Sequence, residues 1–270
     1  MATASSWTTS PRVLATLLTG GREPADLYSP EGSQLYEELA AFDESEQKEL
    51  LQSVVRTRGD ILELACGGGR LTLPLLALGR PVVGIDLSAE MIRMLRARHD
   101  RLPGSRRGVA LTTLIADMRD FDLGRRFGAI VLAATSISLL DRHGRRELYE
   151  AVKKHLAPDG RFFVTVHASP LRAGASSTQL VPLPGGRPAV VVLSEVVDAD
   201  ARMREITALR VIGGDGGAPE VRAFGSTVFL ISEEELDAEV AAAGLVRTES
   251  IGVAGSQSGA ALRIAEYAAC

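Results

Sequence analysis

The sequence predicts an α/β fold built on a doubly wound parallel sheet, and three observations support this class. Short apolar runs alternate with stretches of helical periodicity from residue 60 onward, as strands and helices do in such sheets. The first apolar run breaks at the consecutive glycines Gly67 to Gly69. After His167 the pattern changes to runs that alternate apolar and polar residues, which is typical of antiparallel strands.

The strongest local pattern is the segment at residues 60–73, which reads DILELACGGGRLTL. Residues 61–64 form a short apolar run that suits a strand buried on both faces of a parallel sheet. Because glycine has no Cβ, the turn that follows lets the backbone come close to a ligand. Helical periodicity over residues 70–78 then directs the free N–H groups of a helix N-terminus at that ligand.

A second strand is predicted over residues 81–85, and it ends in Asp86. A carboxylate at that strand end is placed to accept hydrogen bonds from both hydroxyls of a ribose. The glycine turn and Asp86 together predict that a nucleoside-bearing cofactor is bound here.

The alternation of strand and helix continues along the chain, and five strands joined in this way imply right-handed crossovers. The other predicted elements are helices over residues 13–18, 33–42 and 45–57, a helix over 87–99 with Ser88 as N-cap, strands over 109–115 and 127–134, a helix over 144–156 that stops at Pro158-Asp159-Gly160, and a fifth strand over 161–167.

An antiparallel β insertion is expected after the fifth strand, followed by a return to the main sheet. Its predicted elements are a Ser-, Pro- and Gly-rich stretch over 169–188, strands over 190–197, 201–212 and 220–230, a helix over 232–243 with a Ser232/Glu235 capping box, and an antiparallel pair over 246–253 and 261–268. We therefore expect an N-terminal helical lid at 1–58, a cofactor-binding domain at 59–168 and 231–270, and a substrate lid at 169–230 above the cofactor edge of the sheet.

Composition favours a cytoplasmic enzyme. The hydrophobic content of 46% supports a full core, and the formal charge of −4 gives no electrostatic reason to expect nucleic acid or an anionic membrane as partner. Two cysteines, Cys66 and Cys270, and four scattered histidines suggest neither a disulfide framework nor a metal site. No signal segment and no apolar run of about eighteen residues are recognised. Monomer and homodimer both remain open.

The details of the glycine turn favour one cofactor over others. The order Gly67-x-Gly69-x-x-Thr72 lacks the third glycine of a dinucleotide fold. Residues 63–69, EL-AC-GGG, resemble the first motif of class I S-adenosylmethionine (SAM) methyltransferases, in which a glycine usually stands in place of Ala65. Residues 86–91 are similar to that family's second motif, and residues 116–118 to its adenine-contacting motif. The resemblance implies a Rossmann-like seven-stranded sheet, SAM as cofactor with S-adenosylhomocysteine as product, and no metal.

A finer resemblance extends over about residues 25–268. The segments YSPEGSQLYEELA, ILELACGGGRLTLPLLALG, RFGAIVLAATSISLLD, LYEAVKKHLAPDGRFFVTV and ISEEELDAEVAAAGL together resemble N-methyltransferases of peptide natural products. That group includes the glycopeptide-antibiotic enzymes and the daptide-type enzymes of ribosomal peptide clusters. The resemblance implies transfer of one or two methyl groups to a terminal amine. A small-molecule O-methyltransferase of secondary metabolism, and a nucleotide-binding protein or oxidoreductase, remain alternatives.

The resemblance also implies a set of cofactor contacts. Arg70 would meet the methionine carboxylate or remain solvated, and Asp117 would accept from the adenine amine while Met118 covers the ring. Tyr28 and Tyr36 would form an amino-terminal lid, or only pack the first helices. The full implied set is Tyr28, Tyr36, Glu63, Ala65, Gly67, Gly69, Arg70, Asp86, Leu87, Met91, Asp117, Met118 and Ala133. Cys66 is expected to be a small buried wall rather than a nucleophile.

The chemistry of methyl transfer favours an amine acceptor. The reaction is an in-line displacement, so the protein mainly aligns the reacting atoms and excludes water. A sulfonium about 4 Å away would disfavour an ammonium by roughly 4 kcal/mol at an effective dielectric near 20, which is about three pKa units. The amine could thus lose its proton to solvent, and a strong base is optional. An alcohol would instead need a base or a metal.

Candidate residues for the acceptor side follow the fourth and fifth strands. The resemblance implies that Thr135, Ser136 and Ile137 contact the substrate, and the hydroxyls there would orient an amine or only cap the next turn. His167 ends the fifth strand and is the best-placed histidine for proton removal, with a structural histidine as the alternative. Tyr28 would reach the transferring methyl as a second catalytic candidate. The other histidines, His99, His143 and His155, are expected to face solvent.

Overall fold

The computed structural model describes residues 10–40, 45–103, 108–168, 176–183, 189–198, 202–213, 218–253 and 261–270. The chain divides into two compact units: the larger comprises Glu37–Leu171 and Phe229–Cys270, and the smaller comprises Met1–Tyr36 and Arg172–Val228. The predicted lid at 1–58 is therefore divided, because the chain from Glu37 onward belongs to the larger unit.

The described residues form helices and strands that alternate only in part, since β6 to β10 follow one another without a helix between them. The helices are α1 (Pro11–Leu18), α2 (Ser33–Ala40), α3 (Ser45–Val54), α4 (Thr72–Leu76), α5 (Ala89–Asp100), α6 (Arg142–His155) and α7 (Glu233–Ala242), with a short 3₁₀ helix at Ser136–Leu139. The strands are β1 (Ala25–Asp26), β2 (Ile61–Leu64), β3 (Val82–Asp86), β4 (Leu111–Ile115), β5 (Phe127–Leu132), β6 (Leu156–His167), β7 (Ser176–Leu183), β8 (Ala189–Asp198), β9 (Met203–Ile212), β10 (Glu220–Phe229), β11 (Leu245–Val253) and β12 (Leu262–Ala269). No helix among these residues combines the length and apolarity needed to cross a bilayer.

The larger unit contains a seven-stranded sheet in the order β11-β12-β6-β5-β2-β3-β4. Strands β2 to β6 pair in parallel, whereas β12 runs antiparallel to β6 and β11 antiparallel to β12. The chain moves from β2 outward to β3 and β4, then returns to the other side of β2 with β5. This reversal creates a crevice at the carboxyl ends of β2 and β5, which is where ligands bind in such sheets. The predicted fold class is confirmed.

The strands of this sheet are apolar throughout because both faces are covered. Alternate residues point to opposite faces. Leu62, Ile130 and Phe162 belong to one buried cluster that also includes residues of α6 and α7, and Ile61 and Phe163 belong to a second one with residues of α3 and α4. A parallel sheet covered on both faces requires this near-continuous hydrophobicity.

Several predicted boundaries shift in the structure. Helix α4 is limited to five residues, where nine were predicted, and it contains Pro74, which cannot donate a backbone hydrogen bond. The predicted helix over 144–156 ends as expected before Pro158, since α6 ends at His155, but the fifth strand begins at Leu156 rather than at 161, so that Pro158 lies in β6. The pairing of β6 with β5 shifts register between Phe127 and Ala129, which accommodates the irregular start of the strand.

The predicted caps are confirmed. The Ser88 hydroxyl accepts from the N–H of Met91 at 3.3 Å at the start of α5. Ser232 and Glu235 form a reciprocal capping box at the start of α7, with distances of 3.1 and 3.2 Å. Each cap satisfies backbone donors that the helix itself leaves unpaired.

The expectation that the histidines face solvent is wrong for His155 and His99 and correct for His143. His155 is fully buried: its Nδ1 lies 2.8 Å from the carbonyl of Ala151, and its Nε2 accepts from the N–H of Leu123 at 3.0 Å. Both ring nitrogens thus find backbone partners, which makes burial favourable. The side chain of His99 is mostly buried, and that of His143 is exposed.

The smaller unit contains a five-stranded sheet in the order β1-β10-β9-β8-β7. Strands β8 and β9 pair antiparallel, as the alternating pattern predicted, and β7 pairs antiparallel with β8. Strand β7 lies in the stretch at 169–188 that carried no strand prediction, because its pairing with β8 compensates for a weak local pattern. The predicted connections at 199–200, 214–217 and 254–260 lie outside the described residues.

We predict that Gly128→Ala is strongly destabilising. A Cβ at Gly128 in β5 would lie 1.4 Å from the carbonyl oxygen of Arg58, so the backbone must move. We expect a loss of about 3 kcal/mol in the free energy of unfolding, measured by urea denaturation. Gly252→Ala is the matched control, because a Cβ there meets nothing within 4 Å. Equal stability of the two variants would contradict the packing described for β5.

Candidate active site

The glycine turn follows β2 at the crevice of the seven-stranded sheet. Ala65, Gly67 and Gly69 all have left-handed backbone conformations, with φ of 52°, 52° and 90°. This conformation explains why the family usually has a glycine at position 65, since a left-handed alanine costs about 1–2 kcal/mol of conformational free energy. At Gly69 a Cβ would also lie 2.4 Å from the side chain of Leu95. The turn therefore depends on the absence of side chains, as predicted.

Asp86 connects the glycine turn to the next helix. Its Oδ2 accepts from the N–H of Gly67 and its Oδ1 from the N–H of Ser88, both at 2.8 Å. Burial raises the pKa of Asp86, and these two hydrogen bonds oppose the shift. The neighbouring Leu87 is 71% exposed, so an apolar side chain stands open at the same strand end. The carboxylate lies where a ribose site was predicted.

Glu63 does not reach a ligand directly, contrary to the predicted cofactor contact. Its side chain is buried in the core, where the Thr72 hydroxyl donates to Oε2 at 2.5 Å. Burial raises the pKa of Glu63 to about 8, so the carboxyl is mostly neutral at pH 7. Strand β2 points this side chain away from the crevice and towards α4. Glu63 therefore supports the helix that follows the turn.

Glu37 on α2 holds the middle of the turn, and the sequence analysis missed it. Its Oε1 accepts from the N–H of Gly68 at 3.0 Å, and its other oxygen forms an ion pair with Arg98 on α5. The Arg98 guanidinium also donates to the carbonyl of Gly68 at 2.6 Å. Both backbone polar groups of Gly68 are thus bound by an ion pair in which Glu37 is buried and Arg98 is partly exposed. No local pattern predicts this contact between residues 31 positions apart.

Arg70 pairs with a glutamate instead of standing ready for the methionine carboxylate. Its Nη2 lies 2.5 Å from Oε1 of Glu46, a buried residue of α3. Both carboxylate oxygens of Glu46 also accept from the N–H of Ala134 at 3.1 Å. Glu46 was not among the predicted site residues, because nothing in the local sequence distinguishes it from a surface glutamate.

The segment after β5, predicted to contact the acceptor, has a strained backbone. Ala134 and Thr135 are left-handed, with φ of 55° and 53°, and this is unusual for a β-branched residue such as Thr135. Ala133 and Ser136 are buried, with Thr135 half-buried between them. Ile137 is fully buried in the core, so its predicted side-chain contact with substrate is wrong.

The two residues predicted to contact adenine, Asp117 and Met118, are only partly exposed in the structure. The Asp117 carboxylate forms a bidentate ion pair with Arg119, at 3.0 and 2.6 Å, and this arginine lowers the pKa of Asp117. Met118 is half-buried against the core, beside the strand end. Met91 is buried inside the fold, which leaves its predicted side-chain contact with the cofactor little accessible surface.

The remaining candidates lie at different places. His167 is half-buried at the carboxyl end of β6, opposite Leu262. Because β5 and β6 run parallel, His167 lies at the same end of the sheet as the segment after β5. Cys66 is buried, and burial raises the pKa of its thiol, as expected for a wall residue. Tyr28 and Tyr36 belong to the smaller unit, where their ring centroids are 5.2 Å apart. Burial raises the pKa of Tyr28 to about 12, so its phenol stays protonated at neutral pH.

The sequence and the fold were compared with those of known proteins, and both comparisons found similar methyltransferases. The family described as Methyltransferase domain matches residues 61–160. The dTDP-3-amino-3,6-dideoxy-alpha-D-glucopyranose N,N-dimethyltransferase of Streptomyces fradiae is 36% identical over 103 residues, 37% of this chain and 36% of that protein. The structure of SAM-bound CalS10, an amino pentose methyltransferase from Micromonospora echinaspora, is 26% identical with a TM-score of 0.67, covering 86% of this chain and 96% of that one. The glycopeptide N-methyltransferase MtfA with S-adenosyl-L-homocysteine is 26% identical with a TM-score of 0.60, covering 97% of this chain and 98% of that one.

The matched residues include the glycine turn, the end of β3 and the segment after β5. The chain contains a class I SAM-dependent methyltransferase domain. It spans 54% and 36% of the length of two curated relatives that it matches, one of them the Streptomyces fradiae enzyme. Within the described part of the methyltransferase domain, no group of three or more His, Cys, Asp or Glu side chains is placed to hold a metal ion.

We predict that the stability of the methyltransferase domain falls between about pH 5 and pH 9 because of Glu63. Its pKa rises from 4.5 in the unfolded chain to about 8 in the folded one. The stability that neutral Glu63 contributes is fully present below the unfolded pKa and is lost as pH rises through the folded pKa. Since one pKa unit is about 1.4 kcal/mol, charging this group costs about 4 to 5 kcal/mol.

The test is urea denaturation of wild type and Glu63→Gln at pH 6 and pH 9. The amide stays neutral and retains an acceptor for Thr72, so we expect the variant to lose much less stability than wild type on going to pH 9. Glu90→Gln is the control, because the pKa of this exposed-face glutamate is lowered and it does not titrate in that range. Parallel pH dependence of wild type and Glu63→Gln would refute the prediction.

Proposed function

We propose that this chain is a cytoplasmic SAM-dependent N-methyltransferase that acts on an amine of a natural product, by direct in-line transfer. The observation that carries the proposal is the Asp86 carboxylate held beside the glycine turn at the crevice of the class I sheet. We further propose a terminal amine of a peptide, such as a ribosomally made daptide-type peptide, as the acceptor, with one or two methyl groups transferred.

The residues at the crevice fit SAM. Asp86 supplies desolvated carboxylate oxygens for the ribose hydroxyls, and the exposed Leu87 offers an apolar surface to the adenine. Met118 would cover the other side of the ring, and Asp117, which is paired with Arg119, would accept from its exocyclic amine. The glycine turn leaves room for the ribose and the methionine chain, because its residues carry no side chains. SAM, when bound, supplies an electrophilic methyl group.

The chain's own residues need to orient the acceptor and release its proton. Tyr28 cannot act as a base near neutral pH with a pKa of about 12, so it is limited to positioning by hydrogen bonding. His167 is the remaining candidate for proton removal, and Thr135 and Ser136 supply hydroxyls at the same sheet edge. An amine that binds next to the sulfonium loses its proton readily, so an amine acceptor makes small demands on His167. An alcohol acceptor would make it essential.

The relatives support an amine as the acceptor. The names of the Streptomyces fradiae enzyme and of MtfA specify N-methylation, of an amino sugar and of a glycopeptide respectively. A nucleotide-linked amino sugar is therefore the second candidate acceptor, favoured by the 36% identity over 103 residues. The role of residues 169–230 as a substrate lid stays a prediction.

The acceptor is tested with purified protein, SAM and matched substrates followed by mass spectrometry. We expect one or two methyl groups on a peptide with a free amino-terminal aliphatic residue, and none on the same peptide after N-acetylation. A dTDP-linked 3-amino sugar tests the second candidate, and a catechol tests O-methylation. Methylation of the catechol alone, with complete loss in His167→Ala, would overturn the N-methyltransferase proposal.

The cofactor site is tested with Asp86→Ala. Loss of two hydrogen bonds to a charged acceptor, each worth about 1.5–3 kcal/mol, should weaken S-adenosylhomocysteine binding at least about a hundredfold in calorimetry. Asp122→Ala is the control, because that carboxylate is 63% exposed and paired with Lys154. Circular dichroism checks that the variant is folded. Wild-type affinity in folded Asp86→Ala would show that the ribose binds elsewhere.

A further inference from the structure

We propose that Glu46 is a positioning residue that ties the glycine turn to the acceptor-side segment, and that Arg70 serves this tie rather than binding the methionine carboxylate of SAM. The inference rests on the proposed function, since it concerns the same site. Arg70 was predicted to contact the cofactor, whereas Glu46 was not among the predicted site residues.

The contacts of Glu46 join two chain segments that follow neighbouring strands. Its carboxylate lies 2.5 Å from Arg70 at the end of the glycine turn and 3.1 Å from the N–H of Ala134 after β5. Strands β2 and β5 are parallel neighbours, with Leu64 opposite Leu132, so both segments emerge at one sheet edge. A single carboxylate thus fixes the distance between the cofactor side and the acceptor side of the site.

The acceptor-side segment needs such a restraint. Ala134 and Thr135 are consecutive non-glycine residues in the left-handed conformation, which costs about 1–2 kcal/mol for each. Such strain persists only where surrounding contacts impose it. The hydrogen bond from Ala134 to Glu46 is a tertiary contact at the first of the two strained residues. Releasing it would let the segment relax towards ordinary backbone conformations.

The charges favour a permanent pair over one that a ligand displaces. Glu46 is 5% exposed and Arg70 18% exposed at their side chains, and Glu46 lies in the first turn of α3, where the helix dipole favours an anion. If Arg70 turned to a ligand carboxylate, Glu46 would remain as a buried anion without its cation, and breaking buried pairs in this way is strongly unfavourable. The nearby Glu63 is mostly neutral and adds little charge at pH 7.

The decisive experiment is a double-mutant cycle read by calorimetry with two probes. The variants are Glu46→Gln, Arg70→Ala and the double variant, and the probes are S-adenosylhomocysteine and 5′-methylthioadenosine, which lacks the amino acid part. We expect each single variant to weaken both probes by about tenfold, and the double variant to weaken them no further, because the pair acts as a unit. The proposal would be overturned if Arg70→Ala lost binding of S-adenosylhomocysteine but kept binding of 5′-methylthioadenosine. It would also be overturned if Glu46→Gln bound S-adenosylhomocysteine more tightly than wild type.

Kinetics separate positioning from a general loss of stability. With a saturating acceptor and SAM, we expect kcat to fall about tenfold or more in both single variants, since alignment of the reacting groups is lost. Glu239→Gln is the control: it breaks a buried ion pair with Arg145 between α6 and α7, at 2.8 Å. It should lower the melting temperature without changing S-adenosylhomocysteine affinity or kcat.

The outcomes keep the two proposals apart. If wild type binds neither probe, the proposed function fails. If the wild-type protein binds both probes, and the folded variants Glu46→Gln and Arg70→Ala have the same affinity and kcat as wild type, then only the proposed positioning role of Glu46 and Arg70 fails. Should Arg70→Ala not fold, Arg70→Lys replaces it, because lysine keeps the charge but lacks the planar guanidinium geometry. An unchanged kcat in both Arg70→Lys and Glu46→Gln would then count against the tie.

Discussion

Three carboxylates from three different elements shape the glycine turn, and the rest of the site depends on them. Asp86 and Glu37 accept from consecutive backbone N–H groups of the turn, and Glu46 binds the arginine that follows it. A turn without side chains can stabilise itself only through its backbone, as in the hydrogen bond that the N–H of Gly69 donates to the carbonyl of Cys66 at 3.1 Å. Acidic residues on β3, α2 and α3 hold this conformation, so Glu37 and Glu46 connect their helices to the candidate site.

Desolvated carboxylates need compensation, and the larger unit provides it in three ways. Arg98 and Arg70 neutralise Glu37 and Glu46, backbone N–H groups solvate Asp86, and a bound proton neutralises Glu63. The result is a concentration of acidic groups around the crevice that is close to charge balance at neutral pH. An incoming cationic cofactor therefore meets ordered acceptors rather than a field of unpaired anions.

The sequence predicted the parts of this arrangement that depend on near neighbours. Strand–glycine–helix order, the caps at Ser88 and Ser232, and an acidic residue at the end of β3 are each encoded within about twenty residues. The doubly wound, seven-stranded class of the larger sheet followed from the family resemblance and from the rules of parallel connections, whereas its strand order was not predicted. These features confirmed the fold class and located the crevice.

The residues that the sequence did not reveal make contacts over long separations. Glu37 lies 31 positions from its turn partner, and Glu46 lies 88 positions from Ala134. On a short amphipathic helix an inward glutamate looks like any other acidic residue until tertiary structure places a donor against it. Glu63 shows the converse: the motif marked it correctly, but the alternation of β2 turns its side chain to the core. His155 likewise looked solvent-exposed until both ring nitrogens found backbone groups.

The left-handed backbone at Thr135 also limits which side chains the segment after β5 can carry. Residues at 134 and 135 must tolerate a conformation that most side chains avoid, so glycine and asparagine are the replacements that relieve strain, whereas valine and isoleucine would increase it. If this segment meets the acceptor as proposed, few substitutions at these two positions are available to change it. Diversification of the pocket, in nature or in the laboratory, has more freedom at neighbouring positions with ordinary backbone angles.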